Sequence, residues 1–169
     1  NVNDYTDDYR CRGLWVNWLT GGSSMLPDSK GLRIPVDLSF AWHSDAGTTL
    51  NDSIIGTLGI YCTDGQERGT EYANGTSRYA SRDFTDLVMT NITNDIRRTF
   101  EPNWTRRGMW DQSYYEARVP EVPGMLLELL SHQNFADMKY GLDPEFRFVV
   151  SRAVYKGMLQ FLASRDGYD

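Results

Sequence analysis

Histidine is scarce in this chain: 169 residues contain 2, His43 and His132. His43 closes the run Ile34-Pro35-Val36-Asp37-Leu38-Ser39-Phe40-Ala41-Trp42-His43 and is followed by Ser44-Asp45-Ala46-Gly47. In open α/β sheets, ligands collect just beyond the carboxyl ends of strands. A neutral imidazole there can offer nitrogen to a divalent ion; the plainer alternative is a hydrogen bond to a loop carbonyl. Glu128 is the sharper anomaly, one carboxylate inside Pro123-Gly124-Met125-Leu126-Leu127-Glu128-Leu129-Leu130. Burying an ionised carboxylate costs several kcal/mol unless it is paired, protonated or beside a metal. A low-dielectric setting also raises its pKa, as a general base working near neutrality requires. A structural ion pair with Arg106, Arg107 or Arg118 is the competing explanation. His132, Gln133 and Asn134 follow in the expected turn as candidate cleft-lining groups, although His132 also reads as an exposed loop residue. Arg106-Arg107-Gly108 is a small basic spot that could hold a substrate carboxylate or form an ordinary surface pair.

Several chemistries are missing. The chain has no G-x-S-x-G nucleophile elbow, no phosphate-cradling Gly-rich loop with Lys, no dinucleotide fingerprint and no H-E-x-x-H. With 2 His and 2 Cys, any zinc centre would have to recruit carboxylates such as Asp45. Cys11 and Cys62 could form one bridge in an oxidising compartment, but two buried small hydrophobes are the simpler expectation. Four glycosylation-type tripeptides begin at Asn51, Asn74, Asn91 and Asn103 and read as chance occurrences.

The elements that must position these residues follow from periodicity. The Asp- and Tyr-rich first ten residues read as an exposed approach segment. Leu14, Trp15, Trp18 and Leu19 predict a short helix over 12–19, stopped by Gly21-Gly22. From Ile34 to His43 the period is two. Because the second face is small or polar rather than charged throughout, an interior strand covered on both sides is expected. Gly56–Cys62 reads as a second strand and Gly124–Glu128 as a buried one. Phe84, Leu87, Val88, Ile92, Ile96 and Phe100 predict a helix over 81–100, ended by Pro102. Asp143 as cap and Pro144 as first helical residue predict a closing helix, with Phe148, Val149, Ala153, Val154, Met158, Phe161 and Leu162 as its stripe. Strands alternating with helices define an α/β class.

Composition bounds the partners. The chain is 40% hydrophobic and 13% aromatic with a formal net charge of −6, which suits one folded unit with a sizeable core and excludes disorder. Its 23 Asp and Glu against 17 Lys and Arg argue against nucleic acid. No apolar run is long enough to span a bilayer. A first residue that is not Met suggests a processed product or a piece of a longer polypeptide, with additional domains elsewhere in it.

The two anomalies, with the blocks around them, resemble the catalytic domain of zinc-dependent N-acetylmuramoyl-L-alanine amidases, the bacterial cell-wall amidases. Arg12-Gly13-Leu14-Trp15-Val16-Asn17 is similar to the family's helical R-x-x-x-A-N. Ala41-Trp42-His43-Ser44-Asp45-Ala46 is similar to its strand ending S-I-H-A-N-A, and Gly59-Ile60-Tyr61 to its next, Gly-led strand. Pro123 to Asp137 follows P-a-v-L-v-E-x-x-f-l-S-N-x-x-D at Pro123, Glu128, Asn134 and Asp137, and the closing helix carries a late Gly157. The resemblance implies a zinc-exopeptidase-like (phosphorylase/hydrolase-like) α/β fold, a mixed sheet with helices on both faces, incomplete at its amino end. It implies His43 as a Zn2+ ligand and Glu128 as the catalytic carboxylate, with Asp45, His132, Asn134 and Arg107 as candidate substrate contacts. The expected substrate is peptidoglycan and the expected location exported, at a bacterial cell surface. The departures are specific. The family's first two zinc ligands lie upstream of its R-x-x-x-A-N helix, and residues 1–11 resemble neither. Asp45 stands where the family has Asn, and His132-Gln133 replace its L-S. Two explanations fit the missing ligands: the zinc site is completed by sequence upstream of this chain, as is expected here, or the domain is truncated and no longer hydrolyses anything.

Three other readings stay open. One is a carboxypeptidase-like hydrolase using Arg106 or Arg107 on a terminal carboxylate, and another is a polysaccharide-acting enzyme. The third is a non-catalytic glycan- or peptide-binding module. Its aromatic supply would be Trp15, Trp18, Trp42, Trp104, Trp110, Tyr114 and Tyr115, most of them expected in the core.

Overall fold

The structure, a computed structural model, describes residues 3–46, 53–66 and 69–167. Gly47, Asn51 and Asp52 lie outside the described residues. In chain order the elements are α1 (Asp4–Thr20), β1 (Ser39–Asp45), β2 (Thr57–Tyr61), α2 (Tyr79–Thr99), β3 (Arg106–Asp111), α3 (Tyr115–Arg118), β4 (Gly124–Ser131), α4 (Phe135–Gly141) and α5 (Pro144–Arg165). The strands form one four-stranded sheet in the order β1-β4-β2-β3, so the architecture is the expected α/β one, a mixed sheet with helices. No helix among the described residues is long and apolar enough to cross a membrane.

Contacts concentrate in two units, each gathered from three stretches of chain. The first holds residues 1–41, 60–82 and 111–126. There α1 starts eight residues earlier than periodicity suggested, and the approach segment is helical. Asn3 caps it, its side chain accepting from the Thr6 N–H at 3.1 Å, and Asp4 and Asp7 sit favourably in the first turn. These are local polar signals that an apolar-period reading passes over. Gly13 lets Val119 approach so closely that an added Cβ would lie 3.1 Å from the Val119 side chain. Asn17 is fully buried, accepting from the Glu121 N–H and donating to the Val119 carbonyl. Cys62 is buried and Cys11 exposed, and both are free thiols; the expectation of two buried cysteines is corrected for Cys11.

The segment over 34–38 is not strand. The N–H groups of Leu32 and Ile34 donate instead to the carbonyls of Trp18 and Leu19 at the end of α1. Pairing begins at Ser39, whose N–H donates to the Pro123 carbonyl at 2.9 Å. A second correction concerns position: β1 lies at an end of the sheet rather than inside it, and Trp42 is 43% exposed. A face of small residues fits a poorly covered edge as well as a doubly covered interior. The buried, central strand is β4, which runs three residues beyond the predicted end.

The second unit holds residues 42–59, 83–110 and 127–169. Its core is the stripe of α2 (Phe84, Val88, Met89, Ile92 and Ile96) against that of α5. Phe148, expected in the α5 stripe, is 66% exposed, and Phe146 and Val150 are buried instead. Trp104 is fully buried; its Nε1 donates to Thr57 Oγ1 at 2.9 Å, and that hydroxyl donates to the Leu129 carbonyl at 2.8 Å. Strand β3 carries too many charges, Arg106, Arg107 and Asp111, for its alternation to show in the sequence.

Gly157 lets α5 approach α2 closely: an added Cβ there would stand 2.7 Å from Val88 Cα. Gly157→Ala should therefore destabilise the fold by roughly 1–3 kcal/mol through overpacking. Denaturant unfolding would measure it, and an unchanged midpoint would mean that α2 and α5 can separate freely.

Candidate functional site

All six residues singled out as candidates fall in the second unit. His43 and Glu128 stand on neighbouring strands, β1 and β4. Ser39 bonds to Pro123 at one end and the His132 N–H donates to the Asp45 carbonyl at 3.0 Å at the other, so the two strands run in the same direction. That pairing sets His43 beside the Glu128–Leu129 step of the neighbouring strand, about 4.8 Å away in backbone spacing. Of the eight residues of β4, Glu128 alone is half-buried and the other seven are buried. Glu128 is thus the one residue of the strand that keeps some exposure, although its carboxylate Oε2 is shielded from solvent, and His43 on the neighbouring strand is also half-buried.

Asp45, two residues beyond His43, forms an ion pair with Arg107 of β3, Nη1 to Oδ2 at 2.7 Å. Both side chains are about three-quarters covered, at 26% and 22% exposure. Arg107 also lies over the Trp110 ring at 5.8 Å. Arg106, the other candidate anchor for a substrate carboxylate, is committed to Asp86 at 2.6 Å and to Thr90 Oγ1 at 3.0 Å.

His132 places Nδ1 3.1 Å from the Ser44 carbonyl oxygen and 3.0 Å from Ser44 Oγ. Asn134 is 1% exposed and works for the fold: it caps α4, accepting from the Asp137 N–H at 2.9 Å, and donates to the Ser53 carbonyl at 3.0 Å. The structure therefore pairs Asp45 with Arg107 and His132 with Ser44, sets Asn134 inside the packing, and places His43 and Glu128 on neighbouring strands.

Asp137 emerges as the residue that holds this end of the sheet together. Fully buried, it accepts from three backbone N–H groups: Ile55 at 2.9 Å, Gly56 at 3.2 Å and Ser131 at 2.8 Å. These join the end of β4 to the approach of β2. Burial raises its carboxyl above the usual range, and the three N–H donors pull against that rise. The signal in sequence was present: Asn134 and Asp137 stand at Ncap and N3 of a short helix. Gly56, at φ +79, is needed because an added Cβ would meet the Thr105 carbonyl oxygen at 2.0 Å.

The residues fit a zinc centre only in part. Among the described residues no group of three or more His, Cys, Asp or Glu side chains is placed to hold a metal ion. A catalytic zinc takes three protein ligands, and of the candidates only His43 is read as one. The described residues do not by themselves form that centre.

No protein-family sequence model matches the chain, and no curated protein sequence matches it. Solved structures do. It is similar to the N-acetylmuramoyl-L-alanine amidase of Clostridium difficile 630 with a TM-score of 0.64 at 15% identity, over 92% of this chain and 66% of that one. The CwlD amidase of Clostridioides difficile, solved in complex with the GerS lipoprotein, gives 0.61 at 14% identity, over 95% of this chain and 64% of that one. The amidase AmiC2 of Nostoc punctiforme gives 0.58 at 16% identity, over 75% and 58%. The fold is therefore the amidase type of α/β fold, and the chain spans about two thirds or less of the length of these relatives.

Two predictions follow from this geometry. Asp137→Ala leaves three buried N–H groups without their acceptor and should cost about 3 kcal/mol or more, read by denaturant unfolding; a loss under about 1 kcal/mol would show that the three-way bond is dispensable. Because a single imidazole cannot fix a tetrahedral site, zinc uptake by this chain should be weak by calorimetry and lost in His43→Ala. Tight stoichiometric uptake indifferent to His43→Ala would place the metal elsewhere.

Proposed function

We propose that this chain carries catalytic residues of an exported bacterial cell-wall hydrolase acting on the amide between N-acetylmuramic acid and L-alanine in peptidoglycan. The observation that supports the reading is the adjacency of His43 and Glu128 at the carboxyl end of neighbouring parallel strands, within an amidase-type fold. Glu128 is the general base: it takes a proton from the attacking water as the carbon–oxygen bond forms, then returns it to the amine nitrogen as the carbon–nitrogen bond breaks. His43 is the imidazole this reading assigns to zinc, with the remaining donors supplied from outside the described residues. Asp45 and Arg107 act as a pair at the rim, where the ion pair limits how far either can turn toward substrate.

A second reading, a non-catalytic module that binds glycan or peptide, is favoured by one observation. The aromatic set expected in the core is largely outside it: Trp15 is 58% exposed, Trp42 43%, Trp110 44% and Tyr114 46%. Exposed rings of this kind stack on sugar faces.

Incubation of the whole protein with purified peptidoglycan separates the readings. Amide cleavage releases new L-alanine amino groups without new reducing ends, and Glu128→Gln should lower the rate by at least about 100-fold with the fold intact. Reducing ends would indicate a glycosidase, binding without cleavage the module, and full activity of Glu128→Gln would remove that residue from the chemistry.

A further inference from the structure

Ahead of β1 and β4, and wholly within the first unit, lies a cavity of about 620 Å³. Its walls come from the end of α1, residues 34–36 before β1, the turn over 71–74 and residues 121–122 before β4. His43 stands near the other, carboxyl end of β1, and none of the six candidate residues lines this cavity. The volume suits a small organic ligand. Among the described residues no lysine, arginine or histidine lines it, whereas Glu71 and Glu121 both do, so an anion would be repelled.

The two acids differ. Glu121 is compensated from behind: the buried guanidinium of Arg78, lying over the Tyr72 ring at 4.4 Å, brings Nη2 to 4.0 Å from Glu121 Oε2. Its backbone is fixed too, the Glu121 N–H donating to Asn17 Oδ1 at 2.8 Å. Glu71 is exposed, on a turn closed by its bridge to Ser77. Donors complete the lining. Ser23 Oγ accepts from Asn17 Nδ2 and from the Met25 N–H, both at 3.2 Å, which leaves its hydroxyl proton for a ligand. Asn74 Oδ1 accepts from the Thr76 N–H at 3.0 Å, so Nδ2 is the end left to donate. Ile34, Pro35 and Val36 add an apolar wall. A sugar hydroxyl both donates and accepts, and a pyranose ring offers a C–H face beside its hydroxyl rim. Carboxylate acceptors, hydroxyl and amide donors and an apolar wall match that combination. An amine would call for uncompensated carboxylates, and one of the two here already faces a guanidinium.

We propose that this cavity is a carbohydrate site separate from the strand-end site of His43 and Glu128. It takes a neutral sugar: Glu71 and Glu121 accept from its hydroxyls, Ser23 and Asn74 donate to them, and Ile34, Pro35 and Val36 receive its C–H face. The site goes beyond the amide-hydrolase reading and stands whether or not that reading does. The test is calorimetric titration of the whole chain with two neutral trisaccharides, cellotriose and triacetylchitotriose, the tighter of which identifies a hexose or an amino-sugar polymer as the source. Trigalacturonate, an anionic trisaccharide, should bind at least about tenfold more weakly. Glu71→Ala should weaken the neutral sugar by about tenfold, Glu71→Gln should restore part of that loss, and Ile34→Ala should weaken binding by a second route, about threefold. His43→Ala should leave the affinity unchanged. Circular dichroism melting of each variant checks that the fold is kept. No binding of either neutral sugar, equal affinity for trigalacturonate, tighter binding of the triamine chitotriose than of its acetylated form, or full affinity in Glu71→Ala overturns the proposal. Binding lost in His43→Ala overturns it as well, by placing the sugar at the strand-end site. Sugar binding without any peptidoglycan cleavage removes the hydrolase reading and leaves this site.

Discussion

Eight consecutive residues of β4 lie between two neighbouring strands, and seven of them are buried. A strand so covered holds an acid only where packing leaves a gap, because an ionised carboxylate in a sealed apolar layer would cost several kcal/mol. Glu128 is the one residue of the strand that keeps some exposure, while its Oε2 is shielded from solvent. Its distance to His43 is set by the backbone bonds of the parallel ladder, not by any flexible loop. A site built on strand ends is held far more rigidly than one built on loops, and β4 supplies that rigidity for the imidazole and the carboxylate.

The polar interior of the second unit protects this arrangement. Asp137 gathers three N–H groups from two segments, and Trp104 and Thr57 tie the start of β2 to Leu129 of β4. Backbone groups that leave a sheet must find partners or pay their desolvation. Here a single carboxylate satisfies them at the end of β4 and ahead of β2. Asn134 and Asp137, which share the resemblance with Glu128, hold the strand end in place through these bonds.

A zinc centre would need more than His43, because a single imidazole cannot fix a tetrahedral site. The chain spans 66%, 64% and 58% of the three amidase structures compared, so a share of each of those proteins has no counterpart here.

Local pattern was enough to read α2, α5, the core of β4, the turn after it, and the two residues on which the functional reading rests. Apolar period, capping residues and a misplaced charge are properties of a few adjacent side chains. Other features were not legible. The start of α1 depends on an Asn cap and acidic first turn, and β3 hides its alternation under charge. Whether β1 lies inside or at an edge depends on which strands find it, and whether Trp42, Trp110 or Phe148 is covered depends on what arrives from elsewhere in the chain. The Asp45–Arg107 pair joins positions far apart in sequence, and the cavity ahead of β1 and β4 exists only because the end of α1 and the turn over 71–74 meet there. Sequence by itself determined the elements and the chemical candidates, since these follow from neighbours along the backbone. Tertiary structure decided exposure, pairing and the shape of the site, because those depend on long-range contacts that no local periodicity records.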